Sequence, residues 1–301
     1  MTSSATSFQD SLRVHAAAVE ARLAGLIDAH LAGSAAGRLI EAMRYGLLGG
    51  GKRLRPLLVI ESARLFGVPA AQALNTAAAL ECVHCYSLIH DDLPAMDDDE
   101  MRRGRPSTHK AFDEATAILA GDGLQTFAFE ILALPETHAD AAVRGELVLE
   151  LARSSGALGM AGGQMLDLAA EGRGLSIAEV TQLQAMKTGA LIRFGCLAGP
   201  ILGRATVGER SALDVYGRAL GAAFQISDDL LDAEGDASVA GKATAKDAAA
   251  GKATLVGLLG IAGARAELDR QVTAAVTALG VFQGRQALLA EIARFMLTRQ
   301  S

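Results

Sequence analysis

HDDLPAMDDDEMRRGRPSTH, residues 90–109, packs six acids into Asp91 to Glu100 and follows them with Arg102, Arg103 and Arg105. Carboxylates at that density repel one another, so a bound multivalent cation explains them better than a solvated acidic loop does. Oxygen-only ligands point to Mg²⁺, an ion that bridges one or two protein carboxylates to substrate phosphates, and the arginines downstream suit the same phosphates. The run 70–92 before the cluster reads as a helix, and Pro94 drives Leu93 out of the α region, which leaves Asp91 and Asp92 at the helix C-terminus. The helix dipole disfavours a carboxylate there by about 0.3–1 kcal/mol, and a local rule broken in this way marks a functional site.

A second acidic cluster lies far down the chain. FQISDDLLD, residues 224–232, sets DDxxD into an apolar segment of helical length, and the spacing of four puts Asp228 and Asp232 on one face. Two such clusters, each at a helix end and each followed by basic residues, predict a binuclear or trinuclear metal site that grips one diphosphate from two sides.

The 301 residues are 50% hydrophobic with 4% aromatics and no Trp, and no internal repeat or Pro, Gly or Ser-rich linker divides them, which predicts one large helical domain over 1–301 with 1–7 disordered. Periodicity predicts helices near 8–31, 36–48, 54–66, 70–92, 110–133, 138–155, 157–170, 176–198, 209–232, 251–262, 263–279 and 284–299. Alternating strand patterns are absent. The expected architecture is an all-α bundle of about ten to twelve helices around a central cavity, with the two acidic clusters meeting across its mouth. A net charge of −6 speaks against a nucleic-acid partner. The best apolar run, 191–203, is too short to span a membrane and contains Arg193. The N-terminal residues lack a secretory pattern, and three cysteines fit a reducing, cytoplasmic setting.

Further positions stand out. GLLGGGKR, 46–53, is one residue short of a phosphate-binding P-loop because Arg53 stands where Ser or Thr would ligate Mg²⁺, and no strand precedes it. Its content is simpler: glycines let backbone approach an anion while Lys52 and Arg55 supply charge, although taken alone it reads as a Gly-terminated helix with solvated bases. His84 lies nearly two turns before Asp91 and so shares its face, though a lone helical His is more often a satisfied core residue. Cys82, Cys85, His84 and His90 raise a zinc site, which lacks a second ligand pair, so apolar packing of the cysteines is preferred. Lys187 and Thr188 sit mid-helix, where Gly189 permits a kink and the lysine must snorkel or pair. Gln164 and Asp167 read as polar residues lining a cavity. The segment 236–252 is either a solvated linker or a loop whose lysines close over an anion.

Six segments recur in consistent order from about Ala42 to Leu259: GGGKRLRP (49–56), ECVHCYSLIHDDLPAMDDDEMRRG (81–104), GGQMLDL (162–168), KTGALI (187–192), FQISDDLLDAEGD (224–236) and GKATAKDAAAGKAT (241–254). With these the chain resembles the trans-isoprenyl diphosphate synthases, and among them the bacterial farnesyl diphosphate synthases. The resemblance implies a helical fold of the isoprenoid synthase type, usually homodimeric, and prenyl transfer from an allylic diphosphate to isopentenyl diphosphate. It implies three Mg²⁺ per site, with Mn²⁺ able to substitute. Asp91, Asp97 and Asp228 would carry the metals, with Asp92, Asp229 and Asp232 supporting. Lys52, Arg55, His84 and Arg103 would hold isopentenyl diphosphate, while Arg102, Lys187, Lys242 and Lys252 would face the allylic diphosphate. The Thr188 backbone and Gln225 would lie beside the developing carbocation. Leu255 departs from the pattern, since an aromatic commonly follows the second lysine of that loop.

Tyr86, five residues before Asp91, and the small Ser87 would set the product length, and an aromatic at the former goes with a fifteen-carbon product in the resembling enzymes. The near alternative is a geranylgeranyl diphosphate synthase. A class I terpene cyclase would lack the basic set for a second diphosphate, and a non-catalytic partner subunit would have lost acids from one cluster.

Overall fold

The computed structural model describes residues 8–170, 172–238 and 254–299. The chain falls into two compact units, Met1–Val148 and Leu149–Ser301. The expectation of disorder over 1–7, and the lysines Lys242 and Lys252, lie outside the described residues.

In the first unit, α1 (Phe8–Leu31), α2 (Gly37–Leu47), α3 (Leu54–Arg64) and α6 (Glu114–Ala133) all pack against α4 (Ala70–Asp91). Small side chains make this possible: Ala73, Ala77, Ala78 and Ala79 are buried along α4, so its neighbours approach closely on several sides. The helix ends where Pro94 predicts. Asp92 caps it, donating its N–H to Leu88 O at 3.1 Å, and Leu93 donates to His90 O at 3.2 Å. A short hairpin then interrupts the helices, with β1 (Met101–Arg102) paired to β2 (Arg105–Pro106). Arg103 and Gly104 turn it, both at positive φ (52° and 73°), as a two-residue hairpin loop requires. Its arms are too short for alternation to show in a sequence. The helix expected from residue 110 is a single turn, α5 (Thr108–Ala111), followed by α6, which starts where Asp113 accepts the Thr116 N–H at 2.7 Å.

The helix α7 (Ala141–Ser155) carries the boundary between the units. The second unit continues with α8 (Met160–Ala170), α9 (Ile177–Gln184), a π-helical turn (Ala185–Gly189), α10 (Ala190–Leu202) and the long α11 (Val207–Ser238). After the segment outside the described residues come α12 (Leu255–Ala278), a 3₁₀ turn (Leu279–Phe282) and α13 (Ala287–Phe295). One expected helix, 176–198, is thus two helices joined by a π turn at the Gly189 position suspected of a kink. The break expected near 262 lies at Gly260, whose φ of 70° and ψ of 166° are non-helical. Helix α10 is apolar and buried over Leu191–Leu202 except at Arg193, which is held by Glu150 (2.8 Å) and Asp214 (2.5 Å). Buried Tyr216 on α11 donates to Leu289 O at 2.8 Å and ties α11 to α13. No described helix is long and apolar enough to cross a membrane. All three cysteines are free and buried, and burial pushes the Cys85 thiol up to about 12.

Candidate active site

In the first unit the acidic loop folds back on the end of α4. The Asp97 N–H donates to Asp91 O at 2.8 Å, so the two carboxylate-bearing residues stand together although five positions separate them. Asp98 can follow only because it adopts a left-handed φ of 49°. Asp92 has a different environment. It is 2% exposed, and its Oδ1 accepts from Nε (2.8 Å) and Nη2 of Arg102, which also reaches Asp99 at 3.2 Å. Burial pushes the Asp92 carboxyl up and Arg102 pulls it back, leaving it above the ordinary range. Asp91 is thus half-buried and Asp97 exposed, while the buried Asp92 fixes Arg102.

Beside them lies a basic group. The Arg55 Nη1 donates to His84 Nε2 at 3.3 Å; a guanidinium can only donate, so Nε2 accepts and the ring proton is on Nδ1. Burial, and then Arg55, Arg103, Arg53 and Arg102, hold the His84 pKa well below its usual value, so the ring is neutral. Lys52 is exposed on the Gly-rich loop. Arg103 donates to Gly50 O and lies against Gly51, whose φ of 126° favours glycine because L side chains rarely adopt it. Between Lys52 and Arg55, Arg53 turns inward with its side chain enclosed. Tyr86 is buried at 7% exposure, edge-on to His90 with ring centroids 5.8 Å apart, and burial with nearby Asp91 pushes its phenol up to about 12. Ser87 is half-buried and donates to His84 O at 2.8 Å.

The second unit carries its own group of candidate residues. The π turn carries Lys187 and Thr188, an insertion type that recurs at functional sites because it leaves backbone carbonyls outside the regular ladder. Lys187 pairs with Asp167 on α8 at 2.5 Å, the partner that a lysine inside an apolar helix needs. Thr188 donates to Gln225 Oε1 at 3.0 Å, and Gln225 Nε2 donates to Asp229 Oδ1 at 3.0 Å. Gln184 completes the chain by donating to Asp229 Oδ2 at 3.0 Å. Asp229 is buried at 8% exposure and is committed to this relay. Asp228 and Asp232 instead line a cavity of about 800 Å³, as their spacing predicts. Gln164 has both amide atoms buried without a hydrogen bond among the described residues.

The donor chemistry fits Mg²⁺. Asp91, Asp97, Asp228 and Asp232 offer carboxylate oxygens alone, and an ion that keeps several waters and takes phosphate ligands from its substrate needs no more from either cluster. Among the described residues, no three His, Cys, Asp or Glu side chains converge to hold a metal by themselves.

Several residues escaped sequence reasoning. Arg299, beyond the last motif, pairs with Asp228 at 2.6 Å and stacks over Phe224 at 4.7 Å, which no local pattern announces. Gln184 carries no motif of its own, and the buried Glu81 opens the segment 81–104 without standing out in it. Glu81, three residues before His84, had the one readable signal: a carboxylate inside an apolar helical run must find a cation.

Comparison with known proteins agrees with this geometry. The polyprenyl synthetase family matches residues 37–280. A farnesyl diphosphate synthase of Escherichia coli is 47% identical over 235 residues, 75% of this chain and 77% of that protein. One from Geobacillus stearothermophilus is 43% identical over 259 residues, 86% of each. The crystal structure of an FPP/GFPP synthase from Zymomonas mobilis superposes with a TM-score of 0.87 at 43% identity, covering 96% of this chain and 98% of that one.

The π turn depends on one close approach. A Cβ on Gly163 of α8 would lie 2.2 Å from the Lys187 N and 2.6 Å from its Cα, both backbone atoms. Gly163→Ala is expected to force α8 away from the turn at a cost of about 1–3 kcal/mol and to separate Asp167 from Lys187. Thermal unfolding and turnover should both fall; an unchanged Tm would show that the helices adjust freely.

Proposed function

The chain belongs to the polyprenyl synthetase family, and on that premise we propose that it is a transferase condensing isopentenyl diphosphate head-to-tail with dimethylallyl or geranyl diphosphate to give (2E,6E)-farnesyl diphosphate. The observation that carries this reading is the division of labour within each acidic cluster. One aspartate of each adjacent pair, Asp91 or Asp228, is half-buried, while its neighbour, Asp92 or Asp229, is buried and positions Arg102 or the Gln225–Thr188 pair. Turnover of radiolabelled isopentenyl diphosphate with each allylic primer, followed by product sizing, tests it.

Asp91, Asp97 and Asp228 would hold Mg²⁺, or Mn²⁺ in its place, supported by Asp92, Asp229 and Asp232. The bound ions supply positive charge that neutralises a diphosphate leaving group. Arg102, Lys187, Lys242 and Lys252 would add to that charge as the allylic carbon–oxygen bond breaks; positive charge near the leaving group stabilises the charge that develops in the transition state. The Thr188 carbonyl and Gln225 present partial negative charge to the carbocation. Isopentenyl diphosphate, held by Lys52, Arg55, His84 and Arg103, attacks through its double bond. The neutral His84 is a hydrogen-bonding partner for that anion, and the released diphosphate takes the last proton.

The whole chain, 1–301, would act as one synthase domain in a homodimer, and its buried, free cysteines support a cytoplasmic setting. The surface offered for a second copy includes α6, where Ile118 and Leu119 are 44% and 56% exposed. Sedimentation at micromolar concentration should report a dimer, and a monomer would remove this part of the proposal.

Excess chelator should abolish turnover. Asp91→Ala and Asp228→Ala should each lower it by about a hundredfold or more while the far-UV spectrum is kept, the scale seen when one transition-state contact is removed. Near-normal rates in either variant would show that these carboxylates carry no metal.

Product length is assigned to Tyr86, roughly 7.5 Å back along α4 from Asp91 at the helical rise. A buried phenol cannot leave a packed wall without strain of about 1–3 kcal/mol, so a tail that reaches it stops growing. Tyr86→Ala should shift product to twenty carbons or beyond with the first condensation little changed. If product stays at fifteen carbons, another residue is the floor.

A further inference from the structure

The basic group of the first unit is assembled from three separate pieces of chain, and they meet at one buried carboxylate. Lys52 stands on the Gly-rich loop, Arg103 on the turn of the hairpin, and His84 on α4. Glu81 lies one helical turn before His84 and is 1% exposed. Its Oε1 accepts from Arg53 Nη1 and lies 4.0 Å from Arg103 Nη2. Arg53 is not arranged to meet a substrate. Its guanidinium is enclosed, with Nε donating to Glu20 Oε1 at 2.9 Å and Nη2 to Leu47 O at 2.7 Å, so it ties the segment 47–53 to α1 and α4. The loop needs that tie, because Gly50 and Gly51 have φ of 78° and 126° and Arg53 itself is left-handed at 51°. Arg103 closes the arrangement from the other side by donating to Gly50 O.

We propose that Glu81 is the positioning residue for the isopentenyl diphosphate subsite, its single carboxylate oxygen registering the Gly-rich loop through Arg53 and the hairpin through Arg103 against the helix that carries His84. Glu81 meets no substrate. Its charge opposes the mutual repulsion of Arg53, Arg55 and Arg103, which would otherwise splay the two loops before an anion arrives. Arg53 and Arg103 both lie within 4.0 Å of the same Glu81 oxygen, and Arg55 reaches His84 one turn on, so they are close enough for the repulsion to matter. A buried carboxylate between two guanidiniums is an expensive device if stability were its purpose, since well-packed apolar residues serve that end as well. Its use is to fix where the charges point.

This inference rests on the proposed reaction, and the experiment separates the two. Wild-type enzyme is first assayed with isopentenyl and geranyl diphosphates; absence of condensation ends the parent reading before any variant is examined. In Glu81→Gln, which keeps shape and loses charge, KM for isopentenyl diphosphate should rise by about tenfold or more, the scale of one weakened charge-assisted contact. KM for geranyl diphosphate and kcat should stay within about threefold, a split that general structural damage does not produce. The double variant Glu81→Met with Arg53→Met removes the buried pair together, so it is expected to fold if the single variant does not, and it should show the same selective rise. An unchanged KM for isopentenyl diphosphate in either folded protein, or an equal loss for both substrates, overturns the proposal, as does failure of both variants to fold, which would make Glu81 a folding residue.

Discussion

A basic side chain keeps one orientation only when something holds it, and here that restraint comes from carboxylates. Arg102 is gripped by Asp92, Lys187 by Asp167 and Arg299 by Asp228, while Glu81 anchors Arg53 beside Arg103. A guanidinium or ammonium left alone near an apolar wall swings toward water, at a loss of entropy for the ligand that must recapture it. Paired beforehand, it is already oriented. Such pairs add little to net stability, because desolvation of the charges offsets their attraction, so their effect lies in geometry.

The adjacent aspartates show how one helix serves two needs. Neighbouring residues on a helix point about 100° apart, so a pair of carboxylates cannot share an environment. Asp228 lines the cavity while Asp229 is buried in a relay from Gln184 to Gln225 and Thr188. At the end of α4, Asp91 and Asp92 divide in the same sense, with the inner one fixing Arg102. Backbone conformation completes the arrangement. Left-handed residues at Arg53, Asp98 and Arg103 shape the loops beside α3 and after α4, and the π turn at Ala185–Gly189 interrupts an otherwise helical run.

Much of this was legible in the sequence. Periodicity gave the helices, Pro94 gave the end of α4, and the spacing of Asp228 and Asp232 put both on one face. Composition and the lack of alternating segments gave the all-α class. These are local properties, decided by a residue and its neighbours within a turn or two, and ordered motifs made the chemistry readable as well.

What tertiary structure alone decided is which charges meet across long separations. Nothing near Arg53 says that it turns inward to Glu20 and Glu81, 33 and 28 residues away, while Arg55 reaches His84. The π turn is likewise invisible locally, since α8 must approach within contact of the Lys187 backbone to accommodate it. Arg299 reaches Asp228 only because the chain after α13 returns to α11. Hydrophobic pattern specifies which face of a helix is buried, but the partner of a buried charge is set by packing between elements, and a one-dimensional pattern does not carry that information.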